Sequence, residues 1–228
     1  MAKGKLDMSM DFDLNIGHTG VVSKIDSGEM SNLKAREKRK DKIKKMKFAK
    51  FHMRKAKHFL DIAGIPEENQ QIRAITQGSF NMFSILLSII ESKGVLEEVY
   101  LTTFNMNEKI ILALFELVED NKILKLRIMI SDSVRHRMPK RIAQLKSLVD
   151  KYSDRDIMLK LNWNHSKVML IRSNSLFYVL EGSGNLSDNA QIEQYCITNS
   201  KSLYVWHREW MDEQFERNVK KREEIYGS

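Results

Sequence analysis

The sequence contains few of the residues that cross-link a chain or anchor it in a membrane. Cys196 is the single cysteine, which excludes an internal disulfide and argues against a cysteine-based zinc site. The most apolar stretch, Phe80–Ile90, has about half of the roughly 20 residues that a transmembrane helix needs, so we expect a buried helix there. The first residues lack the charged-then-apolar pattern of a secretory signal. We therefore expect a protein of the reducing cytoplasm.

Acidic residues are scarce in one segment of a chain that is otherwise slightly acidic. From Lys34 to Lys57 there are 13 Lys or Arg residues and two acids, which gives this segment a charge of +11 within a whole-chain charge of +8. Such a block is typical of an arm that binds a polyanion, with nucleic acid the first candidate and an anionic membrane the second. A solvated helix without a partner is the alternative. The candidate contacts in the block are Lys44, Lys45 and Lys47.

The composition divides the chain into three segments. Residues 1–30 show no sustained period and are expected to form a flexible N-terminus. Residues 31–66 are predicted to form a basic helical arm that ends at Gly64-Ile65-Pro66. Residues 67–228 are predicted to form the main domain, because a chain of 228 residues with 42% hydrophobic content can bury one substantial core.

Strand and helix signals alternate from about Ile72 onward. This order predicts an α/β fold with a mixed, largely parallel sheet and helices on both of its faces. Ligands of such sheets gather beyond the carboxyl ends of the strands, so we expect residues 77–79, 103–107 and 131–137 near one edge, approached by the loop before His165. The predicted strands are Arg73–Gln77, Val99–Phe104, Leu126–Ile130, Ile157–Leu161, Lys167–Ile171 and Phe177–Leu180, and a last helix runs from about Trp206 to Glu224.

Two short motifs carry the chemistry that we expect. His165 and Lys167 are one residue apart at the start of a strand, and period-two alternation turns both side chains to one face. Gly182-Ser183-Gly184-Asn185 ends the neighbouring strand, and its glycines permit a tight turn with exposed backbone N–H groups. Hairpin pairing brings this turn beside His165.

The convergence of these groups suits a phosphate. Lys167 supplies positive charge, Asn185 and Ser183 supply hydrogen-bond donors, and His165 can attack phosphorus or donate a proton. Glu193 follows downstream and can hold the imidazole in one tautomer. Either motif alone is a common chance occurrence, but the two in order on paired strands favour a functional site.

Here the sequence resembles the phospholipase D superfamily, whose signature is H-x-K-x4-D followed by G-S-x-N. His165-Ser166-Lys167 and Gly182-Ser183-Gly184-Asn185 match it, and residues 189–193 are similar to its downstream glutamate segment. The resemblance implies the fold of a single superfamily repeat, as in bacterial and phage-type members, from about residue 70 onward. It also implies a covalent phosphohistidine on one histidine, protonation of the leaving group by a second histidine from another repeat, and no requirement for a metal or other cofactor.

Two departures from the family pattern bear on activity. The chain has no second H-x-K, so the resemblance implies a homodimer in which two copies of His165 and Lys167 share one phosphate. The family aspartate falls at position 172, where this chain has Arg172. This exchange leaves turnover in question, and we expect Arg172 to be exposed on the hairpin, with contact to a substrate phosphate as the alternative.

A second basic group follows a predicted strand. It is a candidate grip on a nucleic-acid backbone beside the site, and a solvated helix start is the competing interpretation. Its members are Arg135, Arg137, Lys140 and Arg141.

The leading hypothesis is therefore a dimeric phosphodiesterase that acts on nucleic acid, DNA more than RNA. A nucleic-acid-binding protein with weak or no turnover is the first alternative, and a phospholipid-active enzyme is the second. The chain lacks an apolar interfacial face, so a membrane partner is not expected.

Overall fold

The structure, a computed structural model, describes Arg39, residues 48–187 and residues 191–217. The chain separates into two compact units, Met1–Lys42 and Ile43–Ser228, and the fold below belongs to the second. In the part of the chain that the structure describes, every helix falls short of the length and apolarity needed to cross a membrane.

The described chain contains six helices and seven strands. The described part of helix α1 covers residues 48–63. The other helices are α2 (Met82–Lys93), α3 (Glu108–Glu119), α4 (Ser133–Arg137), α5 (Pro139–Lys151) and α6 (Lys201–Glu216). The strands are β1 (Gln71–Gln77), β2 (Glu98–Thr103), β3 (Lys125–Ser131), β4 (Asp156–Asn162), β5 (Val168–Ser173), β6 (Leu176–Gly182) and β7 (Ile192–Asn199).

The strands form one sheet in the order β1-β7-β6-β5-β2-β3-β4. Strands β2, β3 and β4 pair in parallel, whereas the pairs that join β1, β7, β6, β5 and β2 are antiparallel. The predicted α/β fold with a mixed sheet is confirmed. Parallel pairing extends over fewer strands than the alternating pattern predicted, because β5, β6 and β7 follow one another without a crossover helix and must pair antiparallel.

The pairing directions bring the predicted site loops to one edge of the sheet. Strands β1, β2, β3, β4 and β6 run one way, and β5 and β7 run the other way. The carboxyl ends of the first group therefore share an edge with the beginnings of β5 and β7. We call this the site edge; it contains the ends Gln77, Thr103, Ser131, Asn162 and Gly182 and the beginnings Val168 and Ile192.

Helices cover both faces of the sheet, as predicted. The larger core lies under α1, α2, α3 and α5 and includes Phe59, Leu86, Leu114 and Leu145. A smaller core on the other face holds Leu170 and Val179 of the sheet with Tyr204 and Met211 of α6. The described basic helix α1 is thus docked on the body, and the Ser88 hydroxyl donates to the carbonyl of Ala56 at 3.0 Å.

Local signals explain where the helices begin and end. The Asn81 side chain accepts a hydrogen bond from Ser84 N and caps α2, and Asn107 caps α3 in the same way through Ile110 N. Pro139 opens α5, where its missing N–H has no helical partner in any case. Gly64 follows α1 with φ of 70°, a left-handed conformation that ends a helix.

Strand β7 was not predicted from the sequence. It lies between β1 and β6 and turns Glu193, Tyr195 and Ile197 inward while Ile192 and Gln194 remain exposed. Because the polar Glu193 occupies an inward position, the alternation of apolar and polar residues in β7 is difficult to recognise from the sequence. Tyr195 and Ile197, two residues apart, were the available signal.

Candidate active site

The loop that carries His165 is tied to the end of strand β2. The Thr102 hydroxyl accepts from Val168 N at 3.2 Å and shares a hydrogen bond of 2.7 Å with the Ser166 hydroxyl. Asn164 accepts from the Ser166 hydroxyl at 2.6 Å and donates to the carbonyl of Thr103 at 3.3 Å. These bonds hold the backbone on both sides of His165.

His165 and Lys167 contact each other, as the motif predicted. Lys167 Nζ lies 3.1 Å from His165 Nδ1 and donates to the backbone carbonyl of His165 at 2.6 Å. The imidazole is exposed and the lysine is buried. The group that faces Nδ1 is therefore the side chain of Lys167, and the contact of Glu193 with the imidazole stays a prediction.

Burial disturbs the ionisation of Lys167. Loss of water around the ammonium lowers the pKa of Lys167, and the negative charge of Glu193 opposes this change. A buried cation that is only partly compensated attracts an anion. The arrangement favours a ligand phosphate at this position.

Glu193 and Ser183 form the second half of the site. The Ser183 hydroxyl donates to the Glu193 carboxylate, and Ser183 Oγ accepts from Gln194 N at 3.1 Å. Gly182 N donates to the carbonyl of Lys167 at 3.1 Å, which joins the G-S-G-N turn to the start of β5. The predicted pairing of the two strands that carry the motifs is confirmed by this contact.

The two glycines of the motif are required by a close approach of Tyr195. Among the described residues, Gly182 and Gly184 are not in the group of glycines with a positive φ. The conformational freedom that we expected is therefore not the reason why glycine occupies these two positions. A Cβ on Gly182 would lie 2.5 Å from Tyr195 Cδ1, and one on Gly184 would overlap Tyr195 Oη. Burial, with a contribution from Glu193, raises the pKa of Tyr195 to about 12, so this ring stays a neutral wall of the site.

Asn185 presents an uncompensated polar atom. Its side-chain Oδ1 is buried and has no hydrogen-bond partner among the described residues, whereas such groups are nearly always paired. The backbone around it is fixed, since Leu186 N donates to the Thr103 hydroxyl at 3.3 Å and Asn107 N donates to the carbonyl of Leu186 at 3.0 Å. These two bonds hold the backbone next to Asn185 in place.

The second basic group has four predicted nucleic-acid contacts, and two of them, Arg137 and Arg141, contact residues around the site. Arg137 lies over the ring of Phe104 at 6.0 Å, and that ring contacts His165 with 5.1 Å between centroids. Arg141 donates to Asn105 Oδ1 at 2.9 Å.

The other two predicted contacts lie on the surface of the same helices. Arg135 is paired with Asp132 at 2.7 Å, and Lys140 is exposed. Of the residues predicted in the basic arm, Lys44, Lys45 and Lys47 lie outside the described residues.

Arg172 lies at the opposite edge of the sheet from the site. It pairs in register with Glu98 at the start of β2, donates through Nε to Glu98 Oε1 at 2.6 Å, and forms an ion pair with Glu97. Five residues of strand separate it from Lys167, which is about 16 Å. Neither the predicted exposed turn nor the alternative contact with a substrate phosphate agrees with this position, because Arg172 is paired within the sheet.

Sequence reasoning missed the supporting residues. Thr102, Phe104 and Tyr195 shape the site although no motif contains them, because their positions depend on strand register. Within the described ranges, no cluster of three His, Cys, Asp or Glu side chains is arranged to hold a metal ion.

The fold is shared with solved structures of distant sequence. No protein-family model and no curated protein sequence matches the chain. The chain is similar to polyphosphate kinase from Porphyromonas gingivalis, with a TM-score of 0.52 and 13% identity over 73% of this chain and 30% of that one.

Two further solved structures match less closely. The similarity to NucT from Helicobacter pylori has a TM-score of 0.45 and 16% identity over 67% of this chain and 100% of that one. For the phosphatidylserine synthase of Haemophilus influenzae, the TM-score is 0.48 with 14% identity over 66% of this chain and 39% of that one.

At this identity the likeness to the polyphosphate kinase shows a common fold and nothing further. The chain spans about a third of the length of the polyphosphate kinase chain.

Proposed function

We propose that the protein is a phosphodiesterase that cleaves nucleic acid through a phosphohistidine on His165, in a site that two copies of the chain complete. The observation that carries this proposal is the contact between His165 and Lys167, 3.1 Å apart, with the exposed imidazole above the buried ammonium. Lys167 and Asn185 hold the phosphate, and Ser183 is oriented by Glu193.

The first step forms the covalent intermediate. A ring nitrogen of one His165 attacks phosphorus, a P–N bond forms, and the bond to the leaving oxygen breaks. The imidazolium of the other His165 gives its proton to that oxygen. Water then attacks phosphorus and gives a proton to the second imidazole; the P–N bond breaks and the phosphomonoester leaves.

The contact of Lys167 with Nδ1 suggests how one subunit serves either role. A phosphate that draws the Lys167 N–H groups to its own oxygens releases Nδ1. In the neutral ring a released Nδ1 can carry the proton, which leaves Nε2 free to attack phosphorus, and in the imidazolium of the other copy both ring nitrogens carry a proton.

One subunit supplies one His165, and the reaction uses two histidines. None of the other five histidines is part of an H-x-K. A second copy related by a twofold axis is the simplest source of the proton donor.

Positive charge favours nucleic acid as the substrate. Arg137 and Arg141 lie beside the site, and the described outer face of α1 exposes Lys50, Arg54 and Lys57. Cations of this kind contact a phosphate backbone irrespective of sequence, so binding should weaken steeply with salt.

The test is cleavage of a labelled oligonucleotide in EDTA. We expect the wild-type protein to cleave and His165→Ala to lose at least about a thousandfold in rate, because the covalent step is lost. His58→Ala, an exposed histidine on α1, is the matched control and should retain full activity. Equal cleavage by wild type and His165→Ala would overturn the assignment, and binding without cleavage by the wild type would favour a nucleic-acid-binding protein.

A further inference from the structure

A large aromatic side chain stands exposed two residues before His165. Trp163 is 56% exposed, and its Cα is at most about 7 Å from that of His165 along the chain. Indole surface left in water forgoes the free energy that burial of a ring provides. An exposed tryptophan at the rim of a site is therefore a candidate contact for a ligand.

The loop holds Trp163 in this position through its neighbours. Trp163 N donates to Asn162 Oδ1 at 2.8 Å, and Asn162 Nδ2 donates to Gln214 Oε1 of α6 at 2.9 Å. On the other side, Asn164 accepts from Ser166 N at 3.0 Å. Both flanks of the tryptophan are thus fixed to the sheet or to α6, and ordering the loop for a ligand costs little conformational entropy.

A second aromatic ring flanks the imidazole. Phe104 is half-buried and contacts His165 at 5.1 Å between centroids, with Arg137 6.0 Å from its ring. The rim of the site therefore combines aromatic rings with cations around the proposed phosphate position. Channels for single-stranded nucleic acid combine the same two features, because cations follow the backbone and rings stack on the bases.

We propose that Trp163 is a stacking platform for an unpaired base next to the cleaved phosphate, which makes a single-stranded nucleic acid the substrate. A duplex buries the faces of its bases within its own stack, so a side chain can stack only on a base that is unpaired. The inference rests on the proposed function for the place of the phosphate, and it adds the class of substrate.

The test compares two single-stranded probes of equal length and charge that differ only in their bases. One is a 12-nucleotide oligothymidylate, and the other carries abasic sugars at every position. With the His165→Ala protein, which binds without cleaving, the base-bearing probe should bind about fivefold to a hundredfold more tightly, the range typical of one stacked base. This ratio should not change with salt, because the two probes carry the same phosphates.

A second tryptophan provides the matched control. Trp206 on α6 is 60% exposed and lies outside the loops of the site. Adding Trp163→Ala should abolish the preference for the base-bearing probe, Trp163→Phe should retain most of it, and Trp206→Ala should leave it unchanged. Circular dichroism of each variant checks that the fold is intact.

Three results would overturn the inference: no preference in the parent protein, the same loss in the Trp163→Ala and Trp206→Ala variants, or a loss of dimer with Trp163→Ala, which would make the tryptophan an interface residue. The EDTA cleavage assay separates this failure from that of the proposed function. Cleavage without base preference removes only the stacking platform, whereas base preference without cleavage removes only the phosphodiesterase.

Discussion

The two edges of the sheet each hold a cluster of charged side chains, and the clusters differ in how they are compensated. At the site edge, Lys167 is buried beside an exposed imidazole, and Asn185 Oδ1 has no partner among the described residues. At the opposite edge, three cations surround the buried Glu98, namely Arg172 at 2.6 Å, Lys125 at 3.4 Å and Arg208 at 3.6 Å. Glu98 Oε2 is also without a hydrogen bond among the described residues, but these ion pairs balance its charge.

Under the proposed function, the charged side chain at the site edge binds a ligand, whereas those at the opposite edge stabilise the fold. Charges that are paired within the chain stabilise the fold. A buried polar atom without a hydrogen-bond partner lowers the stability, and such atoms are typical of positions where a ligand binds. Substitution of the charged residue at the site edge should therefore lower activity without lowering stability. Substitution of a charged residue at the opposite edge should lower stability without lowering activity.

Lys167→Met gives the largest expected effect. Loss of the ammonium should lower the rate of cleavage by about a hundredfold or more, since the phosphate loses its charged partner. Burial disfavours the ammonium more than Glu193 favours it, so the free energy of unfolding should rise slightly when methionine removes the charge. Cleavage kinetics and urea denaturation measure the two effects, and a loss of stability together with activity would contradict the contrast between the edges.

Alanine at either motif glycine should destabilise the protein by about 2 kcal/mol, as overpacking does. Tyr195→Phe should rescue only Gly184→Ala, because the added Cβ there overlaps Tyr195 Oη, with the next contact at 3.2 Å. The Cβ on Gly182 meets ring carbons at 2.5 and 2.8 Å, which phenylalanine retains. Urea denaturation of the two double variants checks this, and rescue of both or of neither would contradict the geometry.

Arg172→Ala should lower the free energy of unfolding by about 1 to 2 kcal/mol and leave the rate of cleavage unchanged. Glu98 loses its best-placed cation but keeps Lys125 and Arg208. Arg217→Ala, which removes an exposed pair with Glu213, is the control and should have almost no effect. A large loss of activity in the Arg172 variant would show that position 172 serves the chemistry after all.

The smallest effect concerns pH. Burial lowers the pKa of Lys167 below its unfolded value of 10.5, so the unfolded chain binds more protons between the two pKa values and wild-type stability rises with pH there. The excess stability of Lys167→Met should accordingly shrink as the pH rises toward 10.5. Urea denaturation at pH 7.5 and pH 10 compares the variants, and a gap that widens would refute the burial of Lys167.

Local chemistry explains what could be predicted from the sequence. The cap at Asn107, the proline at position 139 and the period of the apolar residues define α3, α5 and most strands without tertiary information. The contact between His165 and Lys167 was predictable for the same reason, because it depends on neighbours in one short segment.

Features that depend on pairing partners could not be predicted. The inward position of Glu193 obscures the period of β7, and the insertion of this strand between β1 and β6 decides which residue crowds the motif glycines. The place of Arg172 at the far edge depends on the antiparallel register with Glu98. Both depend on contacts between residues far apart in the chain.

The most direct test of the account is a mixture of wild-type and His165→Ala chains in equal amounts, refolded together so that subunits exchange. If each active site needs both copies of His165, random pairing makes about one quarter of all dimers fully wild type. The mixture should then have about one quarter of the activity of wild-type protein at the same total concentration in EDTA. A mixture of wild type with His58→Ala should keep full activity and controls for the refolding. Activity near one half would mean that each chain works alone, and it would contradict the half-site that the contact of His165 with Lys167 led us to propose.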